Sequence, residues 1–384
     1  MQMDQMTNIL IMTASISFMV CIMIVCTKGY HGHHSFDNDL NGIQKIHVNP
    51  VPRIGGIAIV VSILTALVFL KLFPIDPFLK VGSSAELLLL AASTPAFLAG
   101  IVEDFTKKVS VRSRLLATFA SALMASAFLG ATVDQLDIIG IDALLRFPPI
   151  ALVITAIVVG GGANAVNIID GFNGLSGSVV VVMASALGFV AWRVNDTFVL
   201  MLALLCIGAA LGFLLVNYPT GKLFLGDGGA YFLGFWVSEI AILLLARNPD
   251  VNAWQVLSIC AYPVIEVLYS IYRRKFLSNA NPGDPDGLHL HSLVYRRINS
   301  RLTTRTARNT WRRNATVVCI ILPIITAFEF GSIVIAQTIV GGIVMVIVQV
   351  AAYIVMYRYL VRGQCNETPF GSNLVEIDMK QESL

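Results

Sequence analysis

Residues 197–216 read TFVLMLALLCIGAALGFLLV, without one charged side chain. Wound as a helix at 1.5 Å per residue, such a run measures about 30 Å, the thickness of a bilayer's hydrocarbon core. The pattern repeats in both directions. Apolar runs near 8–26, 54–74, 86–102, 115–133, 148–169, 175–193, 197–216, 229–246, 253–272, 315–336 and 339–360 predict about eleven transmembrane helices. The expected fold class is therefore all-α, a polytopic integral membrane protein. Its 384 residues are 56% hydrophobic and 13% charged, with a mean hydropathy of +0.77. Soluble domains carry about 25% charged residues, so lipid rather than one large core is the expected solvent. A net charge of +3 is too small to suggest nucleic acid as a partner.

The first run reads as a membrane span rather than a cleaved signal, because Asp4 is the only charge before it. Lysines and arginines set the orientation. With the N-terminus periplasmic, 21 of the 26 basic residues fall on the cytoplasmic side, and Lys71, Lys80, Arg146, Arg193 and Arg247 remain outside. An odd number of spans then leaves the C-terminus cytoplasmic. All six histidines sort to the inner side. Of the six cysteines, Cys21, Cys26, Cys206, Cys260 and Cys319 lie in apolar runs and Cys365 in a polar stretch. None has a metal or redox spacing, so they read as small core residues. Residues 1–362 are expected to form a single transmembrane domain, with loops at 27–53 and 273–313 and a polar tail at 363–384.

Four inner segments carry polar groups that a membrane protein does not place idly. Glu103-Asp104-Phe105-Thr106-Lys107 closes a span with two adjacent acids. Asn164, Asn167 and Asp170 recur every third residue, so on a helix they share an arc of about 120°. A polar stripe at the mouth of an apolar span is costly unless it faces protein or water. The run Asn217-Tyr218-Pro219-Thr220-Gly221-Lys222-Leu223-Phe224-Leu225-Gly226-Asp227-Gly228-Gly229 puts one acid in a glycine-rich turn before the next span. Free N–H groups at such a turn suit anions, and the acid suits a cation bridging phosphates. It is not a P-loop, since Leu223 follows Lys222. The fourth segment holds His289-Leu290-His291, with Arg296 and Arg297 beyond. A zinc site there lacks further ligands at typical spacing, and histidines beside arginines more naturally grip phosphate. Taken singly, each segment also admits a structural reading, as a helix end or a packing device. Together they place acids, amides and bases on one face, as phosphoryl transfer at a bilayer requires.

At these residues the chain resembles the polyprenyl-phosphate N-acetylhexosamine-1-phosphate transferases. Lys45-Ile46-His47 through Pro50, Pro52, Arg53, Gly55 and Gly56 is similar to that family's N-terminal cytoplasmic motif. Glu103 to Lys107, Asn167 to Gly174, Asn217 to Gly229 and His289-Leu290-His291 follow in the family's order. The resemblance implies transfer of a sugar-1-phosphate from a UDP-sugar to undecaprenyl phosphate, with Mg²⁺ (or Mn²⁺) and release of UMP. It implies Asp227 as metal ligand and Phe224 as the uracil stack. Asp104 and Asp170 become candidates for the base, or for ordering acceptor phosphate and nucleotide. Lys107, His289, His291 and Lys222 would neutralise phosphate. Asn164, Asn167, Asn217, Lys45, Arg53 and Arg296 complete the substrate-binding set. Two positions depart from the family pattern. Glu103 replaces the first aspartate of the acidic pair but stays among the catalytic candidates, and Asn173 replaces an acid and is given no catalytic role.

The family branch with the muramoyl-pentapeptide donor has adjacent histidines, and His-Leu-His is more similar to the branch that uses simple N-acetylhexosamines, so the resemblance implies a donor such as UDP-GlcNAc, serving O-antigen or another surface glycan. The alternative is the phospho-N-acetylmuramoyl-pentapeptide transfer of cell-wall synthesis. A transporter is the reading from another class, resting on Glu239, Glu266 and Glu329 within spans. The expected setting is the bacterial inner membrane with the site on its cytoplasmic face. The expected partners are the UDP-sugar, undecaprenyl phosphate, the bilayer and, in a homodimer, a second copy of the chain.

Overall fold

The computed structural model describes residues 2–37, 50–73, 84–277, 286–302 and 310–362. Lys45 and His47 lie outside the described residues, as does the stretch read as a tail. The chain opens with α1 (Gln2–Cys26) and α2 (Lys28–Ser35), then a two-residue ladder, β1 (Phe36–Asp37) antiparallel to β2 (Val51–Pro52). Next come α3 (Gly55–Leu72), α4 (Ser84–Ala92), α5 (Thr94–Thr106), α6 (Val111–Leu129) and α7 (Ile141–Leu145). The middle of the bundle is α8 (Pro148–Ile169), α9 (Leu175–Arg193), α10 (Thr197–Asn217) and α11 (Gly226–Arg247). The chain continues through α12 (Ala253–Ile259), α13 (Ala261–Tyr272) and a π-helical turn at Arg273–Leu277. Then follow α14 (Leu290–Leu302), α15 (Thr310–Val334) and α16 (Ile339–Arg362).

Eight of these helices are long and apolar enough to cross a membrane, and two bent pairs raise the number to ten among the described residues. The pairs are α4 with α5, bent by 42°, and α12 with α13 and the turn after it, bent by 79°. Each second helix carries a proline in its first turns, Pro95 or Pro263, where a missing N–H costs nothing. The span expected near 115–133 is α6, which falls outside this set. Its first turn holds Arg112 and Arg114, and Ser113, Ser121 and Ser126 dilute the rest. The regions read as loops are also partly helical, through α2 in the first and α14 in the second.

The core gathers round α11, where Phe232, Phe235 and Trp236 are wholly buried. Helix α5 turns Ala96, Gly100 and Asp104 inward, one residue per turn on one face. A Cβ on Gly100 would stand 2.5 Å from the Gly228 nitrogen, so only glycine lets α5 approach the start of α11 this closely. That contact delivers Asp104 to the first turn of α11. At the opposite end of the bundle, Asp196 caps α10 by accepting from the Val199 N–H (3.1 Å) and pairs with Arg247 at 2.7 Å.

Candidate active site

Two glycine-bearing segments build the site's floor. The Phe224 N–H donates to the Pro52 carbonyl (2.8 Å), while Gly55 and Gly56 donate to the carbonyls of Phe224 and Leu225 (2.9 Å each). This pairing lays Arg53 across the start of α11. Gly226 has φ +76°, and a Cβ there would meet the Arg53 carbonyl oxygen at 2.1 Å, so the position excludes any side chain.

Asp227 lies at the centre. Its Oδ1 accepts from Arg53 Nη2 at 2.9 Å and from Asn167 Nδ2 at 3.3 Å, and its Oδ2 pairs with Arg114 Nη1. Asp104 is fully buried beside it, and both its oxygens are spent on backbone. Oδ1 accepts the Asp227 N–H and Oδ2 the Gly228 N–H, each at 2.9 Å. Arg53 Nη2 lies 3.4 Å from the same Asp104 Oδ1. A carboxylate on the free N–H groups of a helix start is favoured by both hydrogen bonding and the helix dipole. Asp104 therefore anchors the loop that presents Asp227.

Asp170 ends α8 and accepts from the Ser176 hydroxyl. Burial pushes its carboxyl up to about 7, with the charges of Asp227 and Asp104 acting in the same direction and Ser176 and Arg53 against it. Glu103 is half-buried, and its Oε2 accepts the Val109 N–H (2.7 Å), which turns the chain from α5 into α6 and towards Arg114. Asn217 is buried between two loops, accepting from the Gly174 N–H (2.6 Å) and donating to the Leu223 carbonyl (2.7 Å). Asn173 likewise donates to the Pro219 carbonyl (3.1 Å). Phe224 and Asn164 are half-buried, whereas Lys107, Lys222 and Arg296 are exposed.

The histidine segment packs against the Asp170 loop. His291 meets the Phe172 ring edge-on, 5.5 Å between centroids, and stacks on His289 at 5.3 Å. Burial lowers His291 to about 4, so at neutral pH it offers a hydrogen bond rather than a charge. His289 is held from beneath: its Nδ1 lies 2.9 Å from Glu266 Oε1, and Asp286 stands 3.7 Å from its Nε2. Burial raises Asp286, but His289 and Arg273 outweigh it and hold the carboxyl below its ordinary range. Glu266 also accepts the Leu290 N–H (3.1 Å), so this intramembrane acid fixes the loop rather than standing alone.

The site thus joins Arg53, Asp104, Asn167 and Asp227 directly, with Asp170 within electrostatic reach and His291 against the Asp170 loop. Arg114, Glu266 and Ser176 belong to it and were not among the sequence candidates. A basic residue in the first turn of the helix following an acidic pair is the signal that marks Arg114.

The model of glycosyl transferase family 4 matches residues 86–245, the stretch that holds Asp104, Arg114, Asp170 and Asp227. The match covers 160 of the 384 residues, and over that stretch the chain is similar to glycosyl transferase family 4. Over 253 residues it is 27% identical to the probable undecaprenyl-phosphate N-acetylglucosaminyl 1-phosphate transferase of Bacillus subtilis, covering 65% of this chain and 66% of that one. Over 202 residues it is 31% identical to the phospho-N-acetylmuramoyl-pentapeptide-transferase of Bacillus licheniformis, covering 50% and 60%. Over 263 residues it is 25% identical to the undecaprenyl-phosphate alpha-N-acetylglucosaminyl 1-phosphate transferase of Escherichia coli K12, covering 67% and 69%. The matched stretch spans 66% and 60% of the lengths of the first two relatives. Arg53, His289 and His291 lie outside the matched family stretch, and the fold brings them to it.

Proposed function

We propose that this chain transfers a sugar-1-phosphate from a UDP-sugar to undecaprenyl phosphate, with UDP-GlcNAc as donor, on the cytoplasmic face of a bacterial inner membrane. The observation that carries the reading is the Asp227 cluster. Two guanidiniums, three neighbouring carboxylates and an amide meet at one end of a membrane bundle, at the start of helix α11. The names of the relatives in two bacterial groups support it. In this reaction an oxygen of the acceptor phosphate attacks the sugar-bearing phosphorus of the donor. The bond from that phosphorus to UMP breaks, and UMP carries away the electron pair. The product is a lipid-linked diphosphate sugar, suited to begin a surface glycan such as O-antigen.

The residues supply positioning and charge balance, the two things phosphoryl transfer needs from a protein. Arg53 and Arg114 neutralise phosphate oxygens. Asp170, raised to about 7, is matched to the second ionisation of a phosphate near 6, and takes the last proton from the acceptor. Phe224 stacks on uracil, and Asn167 orients the nucleotide.

The donor set fits Mg²⁺. The Asp227 carboxylate offers oxygen, the donor type this hard cation takes. Among the described residues no three His, Cys, Asp or Glu side chains form a cage. Mg²⁺ ordinarily needs only one or two carboxylates, the remaining sites going to substrate phosphates and water. Asp227 would hold it, and Mn²⁺ could substitute. Bound there, the metal would offset charge on the diphosphate.

The test is UMP release by purified protein in detergent, with undecaprenyl phosphate, Mg²⁺ and a panel of UDP-sugars that includes the pentapeptide donor. Release with UDP-GlcNAc, dependent on lipid and metal, supports the proposal. Release with the pentapeptide donor alone moves the chain to the activity named for the Bacillus licheniformis relative. No release from folded protein with any donor refutes a transferase of this kind.

A further inference from the structure

In the sequence His289 and His291 read alike, as two bases set to grip phosphate, but the fold treats them differently. Both ring nitrogens of His289 face acids of the protein itself. Nδ1 lies 2.9 Å from Glu266 Oε1, and Nε2 lies 3.7 Å from Asp286 Oδ2. The ring is buried, and a phosphate at either nitrogen would stand against a carboxylate, which like-charge repulsion disfavours.

The two acids are themselves tied to the histidine loop. Glu266 Oε1 also accepts the Leu290 N–H (3.1 Å). Asp286 accepts the Ser270 hydroxyl (2.7 Å) and the Leu288 N–H (2.9 Å), and it pairs with Arg273. Glu266, Ser270 and Arg273 stand at i, i+4 and i+7, so one face of α13 and the turn after it carries the whole grip. Turning the His289 ring would break into this network, so its orientation is fixed.

His291 is placed otherwise. Its ring lies within 14° of parallel to His289 and meets Phe172 edge-on. Its Nδ1 has no hydrogen-bond partner among the described residues, and its Nε2 faces Gly171, 3.5 Å from where a Cβ would stand. Gly171 directly follows Asp170. His291 therefore keeps, beside the Asp170 loop, hydrogen-bonding capacity that the protein does not use.

Resting on the transferase reading, we infer that Glu266 and His289 are a positioning pair: Glu266 locks the His289 ring, whose flat face sets His291, and His291 alone of the two histidines bonds a phosphate oxygen beside Asp170. Neither member of the pair touches substrate, and both act through His291.

The test compares wild type with Glu266→Ala, Glu266→Gln, His291→Ala and the Glu266→Ala/His291→Ala double variant, purified in detergent. The rate of UMP release should fall about tenfold to a hundredfold in Glu266→Ala, the scale of one hydrogen bond to a charged group. Glutamine keeps an acceptor oxygen for His289 Nδ1, so Glu266→Gln should recover most of that loss. The double variant should be no slower than His291→Ala alone, because the pair has no other route to the reaction. Losses that multiply overturn the inference and leave Glu266 as an ordinary support of the fold. A second readout does not depend on turnover. In ¹⁵N-histidine-labelled protein, Glu266→Ala should shift the ring signals of both His289 and His291, while Glu266→Gln should leave His291 near its wild-type position. His291 signals that Glu266→Ala does not move overturn the pair. Signals that move as expected, in a protein that releases no UMP from any donor, keep the pair and remove the transferase reading instead. Should Glu266→Ala fail to fold, substitutions of His289 decide. Asparagine puts its amide near Nδ1, towards Glu266, and glutamine puts its amide near Nε2, towards Asp286. His289→Asn should therefore turn over faster than His289→Gln, and the reverse order refutes the inference.

Discussion

Replacing Asp104 with asparagine separates anchoring from chemistry at this site. The wild-type carboxylate is fully buried and accepts two α11 amides at 2.9 Å each. Asparagine keeps one acceptor oxygen and turns an NH₂ towards the other amide, so one charge-assisted hydrogen bond is lost, about 1.5–3 kcal/mol. The negative charge at the start of α11 goes too, worth about 0.3–1 kcal/mol and up to ~2 where partly buried. Arg53 keeps Asp227 but loses its second carboxylate. The total is about 2–5 kcal/mol. At about 2.1 cal/mol/K per residue, 384 residues give an unfolding entropy of about 0.8 kcal/mol/K, so each kcal/mol shifts the midpoint by about 1.2 °C. A fall of about 2–6 °C in apparent melting temperature is therefore expected.

Cys21 and Cys206 are buried and free, so a thiol-reactive fluorophore reports the transition in detergent. Combining the change with Arg53→Gln should give less than the sum of the two losses, because both act on one network. The reasoning is refuted if Asp104→Asn melts within a degree of wild type while activity disappears. The carboxylate would then act on substrate rather than on α11.

Three further outcomes follow from the same geometry. Phe224→Ala should raise the donor KM more than it lowers kcat, and an unchanged KM in steady-state UMP release excludes stacking on uracil. With Asp170 raised to about 7 and required in its charged form, kcat should climb as pH rises through about 7 and level off above it. Asp170→Asn should abolish that limb along with most turnover, and a wild-type profile flat from pH 6 to 8 removes Asp170 as the base. Asn217→Ala leaves the Gly174 N–H and the Leu223 carbonyl unmet, so a loss of about 2–3 kcal/mol is expected, read as a lower melting temperature. A donor KM that rises with no change in melting temperature would instead make Asn217 a nucleotide contact.

What could be read without coordinates follows from which forces act locally. Spans such as 197–216 are legible because lipid offers no hydrogen bonds, so a long uncharged run has one stable state. The count was less secure where that logic weakens. Helix α6 mixes arginines and serines into its length, and the breaks before Pro95 and Pro263 bend single apolar runs into pairs. The site divides in the same way. That Asp104, Asn217 and Asp227 sit at a polar mouth is local information, carried by the glycines and acids around them. What each side chain does there is not. Asp104 and Asn217 look alike in sequence to groups awaiting a substrate, yet their polar atoms bond backbone brought from elsewhere in the fold. Glu266 reads in sequence either as part of an ion path or, near the inner end of its span, as a partner of the basic loop, and it is the acceptor that holds His289. Arg114 shows the limit most clearly, because its place after an acidic pair marks it in sequence but does not name its partner. Its partner lies 113 positions away, and the pair exists because Gly100 lets α5 close on α11 while Glu103 turns the chain so that α6 starts beside them.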